Sequence, residues 1–284
     1  MSFRASPILY KKLSSASRSW LSRQSRDPYV KLRTASPNVY RSRSAFKLLE
    51  LNAAWGSFLS RKDVRAVVDL GAAPGGWSQV VSEKLGWIDS ATPDWDDSDV
   101  ASEYGLQLGR VPGPERNLDA SSSWRTKQGR GVIVSVDLLP ITPIPGVHAM
   151  QMDFLDPQAG AAIKAVLSTP ENPSGVVDII LSDMAANFSG YKTRDVESSL
   201  DICHSIFNFA KDNLRVQDSP QEATKRRRGG TLLLKHFTHP LLQEFRKHFL
   251  EPNFHNVHYI KPTSSRTESA EGYWLCRGWK GVKS

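Results

Sequence analysis

Four short aliphatic runs, "VRAVVDLG", "GVIVSVDLLP", "GVVDIILSDMA" and "TLLLKHF", constrain this chain more than any other feature. Each places Val, Ile or Leu on consecutive rather than alternate positions, the pattern of a strand covered on both faces in a parallel sheet. Helical spacing separates them. Ala45, Leu48, Leu49 and Ala53 fall on one face of "YRSRSAFKLLELNAAW", and "AAPGGWSQVVSEKL" reads as a loop leading into a helix. "DPQAGAAIKAVL", a segment from Asp195 to Leu214 and "HPLLQEFRKHFL" supply further helices, while "GVHAMQMDF", "NVHYIKP" and "GYWLCRGW" read as strands. This alternation predicts an α/β fold built on a mostly parallel, doubly wound sheet with short crossovers.

Ligands of such sheets sit outside the carboxyl ends of the strands, so whatever follows each strand is a candidate for the site. The first strand leads into "DLGAAPGGW", where Gly71, Gly75 and Gly76 permit a tight turn and close backbone approach. The spacing is not the dinucleotide G-x-G-x-x-G, which disfavours a pyrophosphate ligand. Asp137 follows the second strand and is the kind of acid that grips a ribose diol, displaced by an intervening insertion. Asp153 follows the third strand, Asp183 the fourth and Lys235 the fifth. Alone, each acid reads as an ordinary loop residue. Lys235 alone reads as a side chain snorkelling to water where a strand stops, because desolvating an unpaired ammonium costs several kcal/mol. Together they read as a site.

Charge narrows the ligand. The chain carries a net +8, yet residues 1–65 hold 14 Lys/Arg against 3 Asp/Glu, a net +11 that leaves the remainder at −3. A basic arm on a near-neutral body points to a polyanion, most often nucleic acid, with a solvated basic surface as the plainer alternative. Lys31, Arg33, Arg41 and Arg43 precede Lys47 and suit phosphates; Trp20, Tyr29 and Tyr40 interleave with them and suit base stacking or core packing equally. "KRRR" at 225–228 reads as a phosphate contact or a solvated cluster.

The N-terminus has no acid before Asp27, is rich in Ser and carries scattered Arg and Lys. Residues 1–18 therefore read as a transit peptide or a disordered tail, ahead of a single domain spanning 19–284. Stretches near 87–130 and 216–229 lack periodicity and read as flexible surface insertions. Two distant cysteines, Cys203 and Cys276, exclude a disulfide framework or zinc ribbon and fit a reducing compartment. The histidines show no ligand spacing, so no metal is expected. No apolar run approaches the roughly 18 residues of a membrane-crossing helix.

"RSRSAFKLLEL", "VVDLGAAPGGWSQV", "VDLLPITPIPGV", "MDFLDP", "LSDMAANFSG", "LLLKHF" and "KPTSSRTESAEGYWLC" resemble, in this order and spacing, the RrmJ/FtsJ family of S-adenosylmethionine-dependent RNA ribose 2′-O-methyltransferases, from Trp20 onward. The resemblance implies a Rossmann-like methyltransferase sheet with an antiparallel C-terminal strand. It implies a catalytic tetrad of Lys47, Asp183, Lys235 and Glu271, with Lys235 as general base. Gly75, Gly76, Trp77, Asp137, Asp153 and Asp183 would contact S-adenosyl-L-methionine, and Arg41, Arg43 and Arg266 the RNA.

Two departures stand out. Ala186 replaces the family's usual Pro, and "TESA" replaces a basic stretch, leaving Glu268 as a rival to Glu271. The transit-like N-terminus and "WLSRQSRDPYVK" are most similar to the mitochondrial branch. That implies a monomeric matrix enzyme modifying a uridine of large-subunit rRNA, within the subunit or its precursor. A non-catalytic RNA-binding assembly factor and a cap or tRNA ribose methyltransferase remain as alternatives.

The chemistry accounts for the residue types. A ribose hydroxyl must lose its proton as it attacks a methyl group, and a lysine accepts one only where its charged form is disfavoured, by burial or by a second ammonium. Lys47 would supply that second charge, Asp183 would orient Lys235, and Glu271 would position Lys47 or the ribose. Holding the oxygen close and in line with the methyl carbon supplies up to roughly 7–11 kcal/mol.

Overall fold

The computed structural model describes residues 27–30, 40–88, 128–186, 189–217, 228–266 and 269–281. The expected transit stretch, most of both expected insertions, Trp20, Lys31, Arg33, Glu268 and residues 225–227 of the basic cluster lie outside these.

Helix α1 (Ser44–Ala54) leads to β1 (Ala66–Leu70) and α2 (Gly76–Lys84). Strands β2 (Val132–Asp137) and β3 (Val147–Gln151) precede α3 (Ala159–Leu167), β4 (Ile179–Ser182) and α4 (Lys192–Asn213). Then come β5 (Thr231–Phe237), α5 (Pro240–Phe245) continuing into a π-helical turn through Leu250, β6 (Phe254–Ile260) and β7 (Glu271–Trp279). The seven strands lie in the order β3-β2-β1-β4-β5-β7-β6. Strands β1 to β5 pair in parallel, whereas β7 runs antiparallel to both β5 and β6. The expected reversed strand is therefore present, slotted between β5 and β6 rather than placed at the sheet's edge. No helix among the described residues is long and apolar enough to cross a membrane.

Continuous aliphatic runs arise because successive side chains point to opposite faces and both faces are covered. Val68, Val134, Ile180, Leu232 and Leu234 pack with Ile163, Ile206 and Phe245 of α3, α4 and α5. Val67, Ile133, Ile179, Leu181 and Leu233 pack with Leu48, Leu51, Val80 and Val81 of α1 and α2. Each such aliphatic burial stabilises by about 1.5–3 kcal/mol.

The site-bearing ends depart from the sequence expectation in two places. Lys235 does not end its strand: β5 pairs with β4 only as far as Leu234, but Lys235, His236 and Phe237 continue against Tyr273, Gly272 and Glu271 of β7. Lys235 thus shares the face of Leu233 and points toward α1, with only 12% of its side chain exposed, so it does not snorkel to bulk water. Helix α4 begins three residues before Asp195. The Asp195 carboxylate accepts from the Ser189 and Gly190 backbone N–H groups and gathers that turn onto the helix.

Candidate active site

Four charged side chains from four separate elements meet on the α1 side of the sheet. Lys47 Nζ of α1 lies 2.6 Å from Glu271 Oε1, at the start of β7. Lys235 Nζ of β5 lies 3.1 Å from Asp183 Oδ1, just past β4, and 3.8 Å from Glu271 Oε2. Lys235 also donates to the Asp183 carbonyl oxygen at 3.3 Å. Two ammonium groups and two carboxylates cancel, which is how lysines are tolerated this far from water. Glu271 closes the cluster among the described residues. Burial pushes the Glu271 carboxyl up, but the charge and hydrogen bond of Lys47, with Lys235 behind it, outweigh burial and hold it below the usual value.

Tyr273 is a member the sequence reading missed. Its hydroxyl donates to Asp183 Oδ1 at 2.7 Å and accepts from Lys47 Nζ at 3.3 Å. Burial, reinforced by the negative charges of Asp183 and Glu271, pushes the phenol well above its ordinary value, so it remains a protonated donor. The signal was available: Tyr273 is two residues after Glu271, hence on the same face of a strand.

Beside this cluster a cavity of about 740 Å³ opens at the carboxyl ends of β1 to β4, a size typical of small-molecule sites. Asp137, Asp153 and Asp183 all line it, with Met152, Phe154 and Ile202 among its apolar wall. Gly71, at φ +74°, borders it where a Cβ would come within 2.6 Å of Met184 Cγ and 3.1 Å of Met184 Cα. The acids pin their own loops: Asp137 accepts from Ala73 N at 2.8 Å and Leu139 N at 2.9 Å, and Asp153 from Leu155 N at 2.9 Å. Four carboxylates, with Asp201 the fourth, outnumber the one cation, Arg194, and against an apolar wall suit a ligand with cationic groups, a diol and a flat ring, which is the composition of S-adenosyl-L-methionine. Asp183 belongs to both the cavity and the charged cluster.

The other expected donor contacts sit behind this cavity. Gly75, at φ +106°, packs against Ile144 and Arg41, and Gly76 against Ser42, whose Oγ would lie 2.1 Å from an added Cβ. Trp77 is 2% exposed, donates its Nε1–H to Ser44 O at 2.8 Å and lies 5.8 Å from the Tyr273 ring. Trp77 thereby ties α2 to the first residue of α1.

Arg41 and Arg43, expected at RNA phosphates, are engaged within the protein. Arg41 donates to Thr142 O at 2.5 Å, Pro143 O at 2.8 Å and Pro74 O at 3.4 Å, fastening the loop before Gly75 to the one before β3. Arg43 pairs with Asp27 and donates to Ser264 O at 2.6 Å. Glu50 of α1 holds the same 263–264 turn by accepting from Thr263 N and Ser264 N, at 2.6 and 3.0 Å. Arg266 follows that turn and is partly exposed. Tyr40 is core: it is 2% exposed, and its hydroxyl donates to Glu83 at 2.8 Å. Tyr29 packs on Phe46.

Two buried titratable groups flank the cluster. Asp69 of β1 is fully buried; one carboxylate oxygen accepts from Ser78 Oγ at 2.6 Å and the other has no partner. Burial pushes its carboxyl up, the Ser78 hydrogen bond pulls it down, and the charges of Asp183 and Asp137 push it up again, to about 7. An acid inside the run "AVVDL" was the available signal. His236 stacks on Trp274 with ring centroids 3.7 Å apart, and burial lowers its imidazole to about 4.

A seven-stranded sheet of this order with one reversed strand is the fold of the S-adenosylmethionine-dependent methyltransferases. Residues 40–279 match the model of the FtsJ-like methyltransferase family. The chain belongs to that family, and it is a methyltransferase whose methyl donor is S-adenosyl-L-methionine. Similar curated proteins carry the name Ribosomal RNA large subunit methyltransferase E. That of Rhodopseudomonas palustris is 33% identical, covering 94% of this chain and 86% of its own. Those of Bradyrhizobium diazoefficiens and Novosphingobium aromaticivorans are 34% identical, covering 94% and 95% of this chain and 89% and 92% of theirs. A crystal structure of a Plasmodium falciparum chain described as a ribosomal RNA methyltransferase shares the fold, with a TM-score of 0.57 at 22% identity, over 86% of this chain and all of that one.

Proposed function

We propose that this chain methylates the 2′-hydroxyl of a ribose in large-subunit ribosomal RNA, with Lys235 as the general base. One observation carries the reading: Lys235, clasped by Asp183 and Glu271, adjoins through Asp183 a cavity fitted to the donor. The names of the relatives support the substrate. The Lys47–Glu271 and Lys235–Asp183 pairs favour catalysis over docking alone, because a purely RNA-binding protein gains nothing from cancelling its cations.

When bound, S-adenosyl-L-methionine supplies an electrophilic methyl group on a sulfonium centre. Asp137, Asp153 and Asp183 would hold it, and the apolar cavity wall would keep water from competing for the methyl. Lys47, fixed by Glu271 and the Tyr273 hydroxyl, meets the incoming ribose oxygen. Lys235 takes the hydroxyl proton at Nζ as that oxygen attacks. Asp183 and Glu271 accept the N–H groups of the ammonium so formed and fix its direction. Solvent collects the proton afterwards through the exposed fraction of the Lys235 side chain.

Two finer features complete the proposal. The target nucleoside is a uridine and the working form a monomer, on the strength of the sequence resemblance. The compartment is the mitochondrial matrix, supported by the acid-free, Arg- and Ser-rich first 26 residues. Mapping 2′-O-methyl positions on large-subunit rRNA with wild type and Lys235→Ala tests the chemistry. The variant is expected to lose methyl transfer while its donor affinity stays within about twofold; equal turnover removes Lys235 from the mechanism. Fusing residues 1–26 to a fluorescent reporter tests the address, which a reporter left in the cytosol would overturn.

A further inference from the structure

We propose that Tyr191, flanked by Lys192 and Arg194, is a docking surface for an unpaired nucleotide of the substrate RNA, next to the ribose that is methylated. The inference rests on the RNA methyltransferase reading and extends it.

Three choices in a row work against local stability. Tyr191 occupies the N-cap of α4, where Ser, Thr, Asp or Asn would satisfy an orphan N–H, and its side chain makes no cap hydrogen bond. Lys192 and Arg194, both exposed, place cations in the first turn, where the helix dipole opposes them and Asp195 offsets them only in part. Tyr191 is 74% exposed, more than any other large hydrophobic residue described. Residues that break local rules together, with no packing gain, mark surfaces kept for another purpose.

The turn that carries the ring is fixed. Asp195 accepts from Ser189 N and Ser189 Oγ, both at 2.7 Å, and from Gly190 N at 3.2 Å. Tyr191 N in turn donates to Ser189 Oγ at 3.2 Å. The chain reaches this turn from Asp183, and both Ser189 and Arg194 line the donor cavity. Tyr191 therefore stands at the rim of the space where the reaction takes place.

The chemistry of the patch selects its occupant. An exposed aromatic ring with exposed cations one and three residues further on suits a base with its neighbouring phosphates, and stacking of this kind needs a base released from pairing. An RNA duplex offers no such face. The two arginines expected at the phosphates before α1 are engaged with protein carbonyls and Asp27, whereas Lys192 and Arg194 are exposed.

Fluorescence anisotropy of the full-length protein with a labelled single-stranded oligouridylate of about 16 nucleotides tests the proposal, with an RNA duplex of about 16 base pairs as control. Tyr191→Ala is expected to weaken single-strand binding by roughly tenfold, Tyr191→Phe to retain it, and neither to change duplex binding. Donor affinity, measured by titration calorimetry, should match wild type in both variants and so certify their fold. Unchanged single-strand binding by Tyr191→Ala, an equal loss on single strand and duplex, or no single-strand binding by wild type overturns the docking surface. Parallel methyl-transfer assays separate the two readings: Tyr191-dependent binding without any methylation by wild type removes the enzymatic reading and leaves the surface standing.

Discussion

The Tyr273 hydroxyl donates a 2.7 Å hydrogen bond to Asp183, fastening the reversed strand β7 to the loop that leaves β4. The same carboxylate oxygen receives Lys235 at 3.1 Å, so phenol and ammonium share one acceptor. Removing either donor changes where the other points.

Tyr273→Phe deletes that hydrogen bond and the acceptor facing Lys47 while preserving the ring's packing. Hydrogen bonds to charged groups are worth about 1.5–3 kcal/mol, so the turnover number should fall tenfold or more. Single-turnover kinetics and donor titration check this: a fall confined to the chemical step is expected, and wild-type turnover would exclude the hydroxyl from the mechanism.

Arg41→Ala frees Thr142 O, Pro143 O and Pro74 O and loosens the loop on which Gly75 sits. The expected loss is in donor affinity, by roughly tenfold for two to three hydrogen bonds to a charged group in a partly exposed setting. RNA affinity should hold. Titration of each ligand separately decides the matter, and a loss confined to RNA would return Arg41 to the phosphate role its sequence position implied.

Asp69 and His236 make stability depend on pH with opposite signs. Asp69 is raised from 3.8 to about 7, so its contribution is full below 3.8 and is lost as pH rises through 7. His236 is lowered from 6.5 to about 4, so its contribution is present above 6.5 and is lost as pH falls through 4. Each spans on the order of 3–4 kcal/mol. In melting scans from pH 4 to pH 8, Asp69→Asn should gain on wild type toward the alkaline end, and His236→Phe toward the acid end. Gaps that stay constant with pH would show that neither group titrates as its burial requires.

The sheet was legible because burial on both faces writes itself into consecutive residues such as Leu232, Leu233 and Leu234. Asp183 and Lys235 were read where aliphatic runs stop, and the resemblance brought Lys47 and Glu271 to them. Tyr273 was legible only as a residue on the same strand face as Glu271: its place opposite Lys235 depends on an antiparallel register, and local pattern carries no register across 38 residues of chain. Arg41 misled for a related reason. A basic residue ahead of an active-site helix looks the same in sequence whether it faces phosphate or three carbonyl oxygens. Asp69 was passed over because the eye reads "VVDLG" for its glycine, although an acid with aliphatic neighbours on both sides is the rarer event.

Strand β7 gives the active centre a parity. Glu271 and Tyr273 face Lys235 only because both occupy odd-numbered places along one ribbon, and displacement by a single residue would turn both toward α5 and offer Gly272 and Trp274 instead. Displacement by two would restore the facing but carry the carboxylate about 7 Å away. The chain accommodates the long stretch 89–127 between α2 and β2, yet a one-residue insertion within these nine would silence it. Natural length variation in such a molecule should therefore gather between the helices and spare this ribbon.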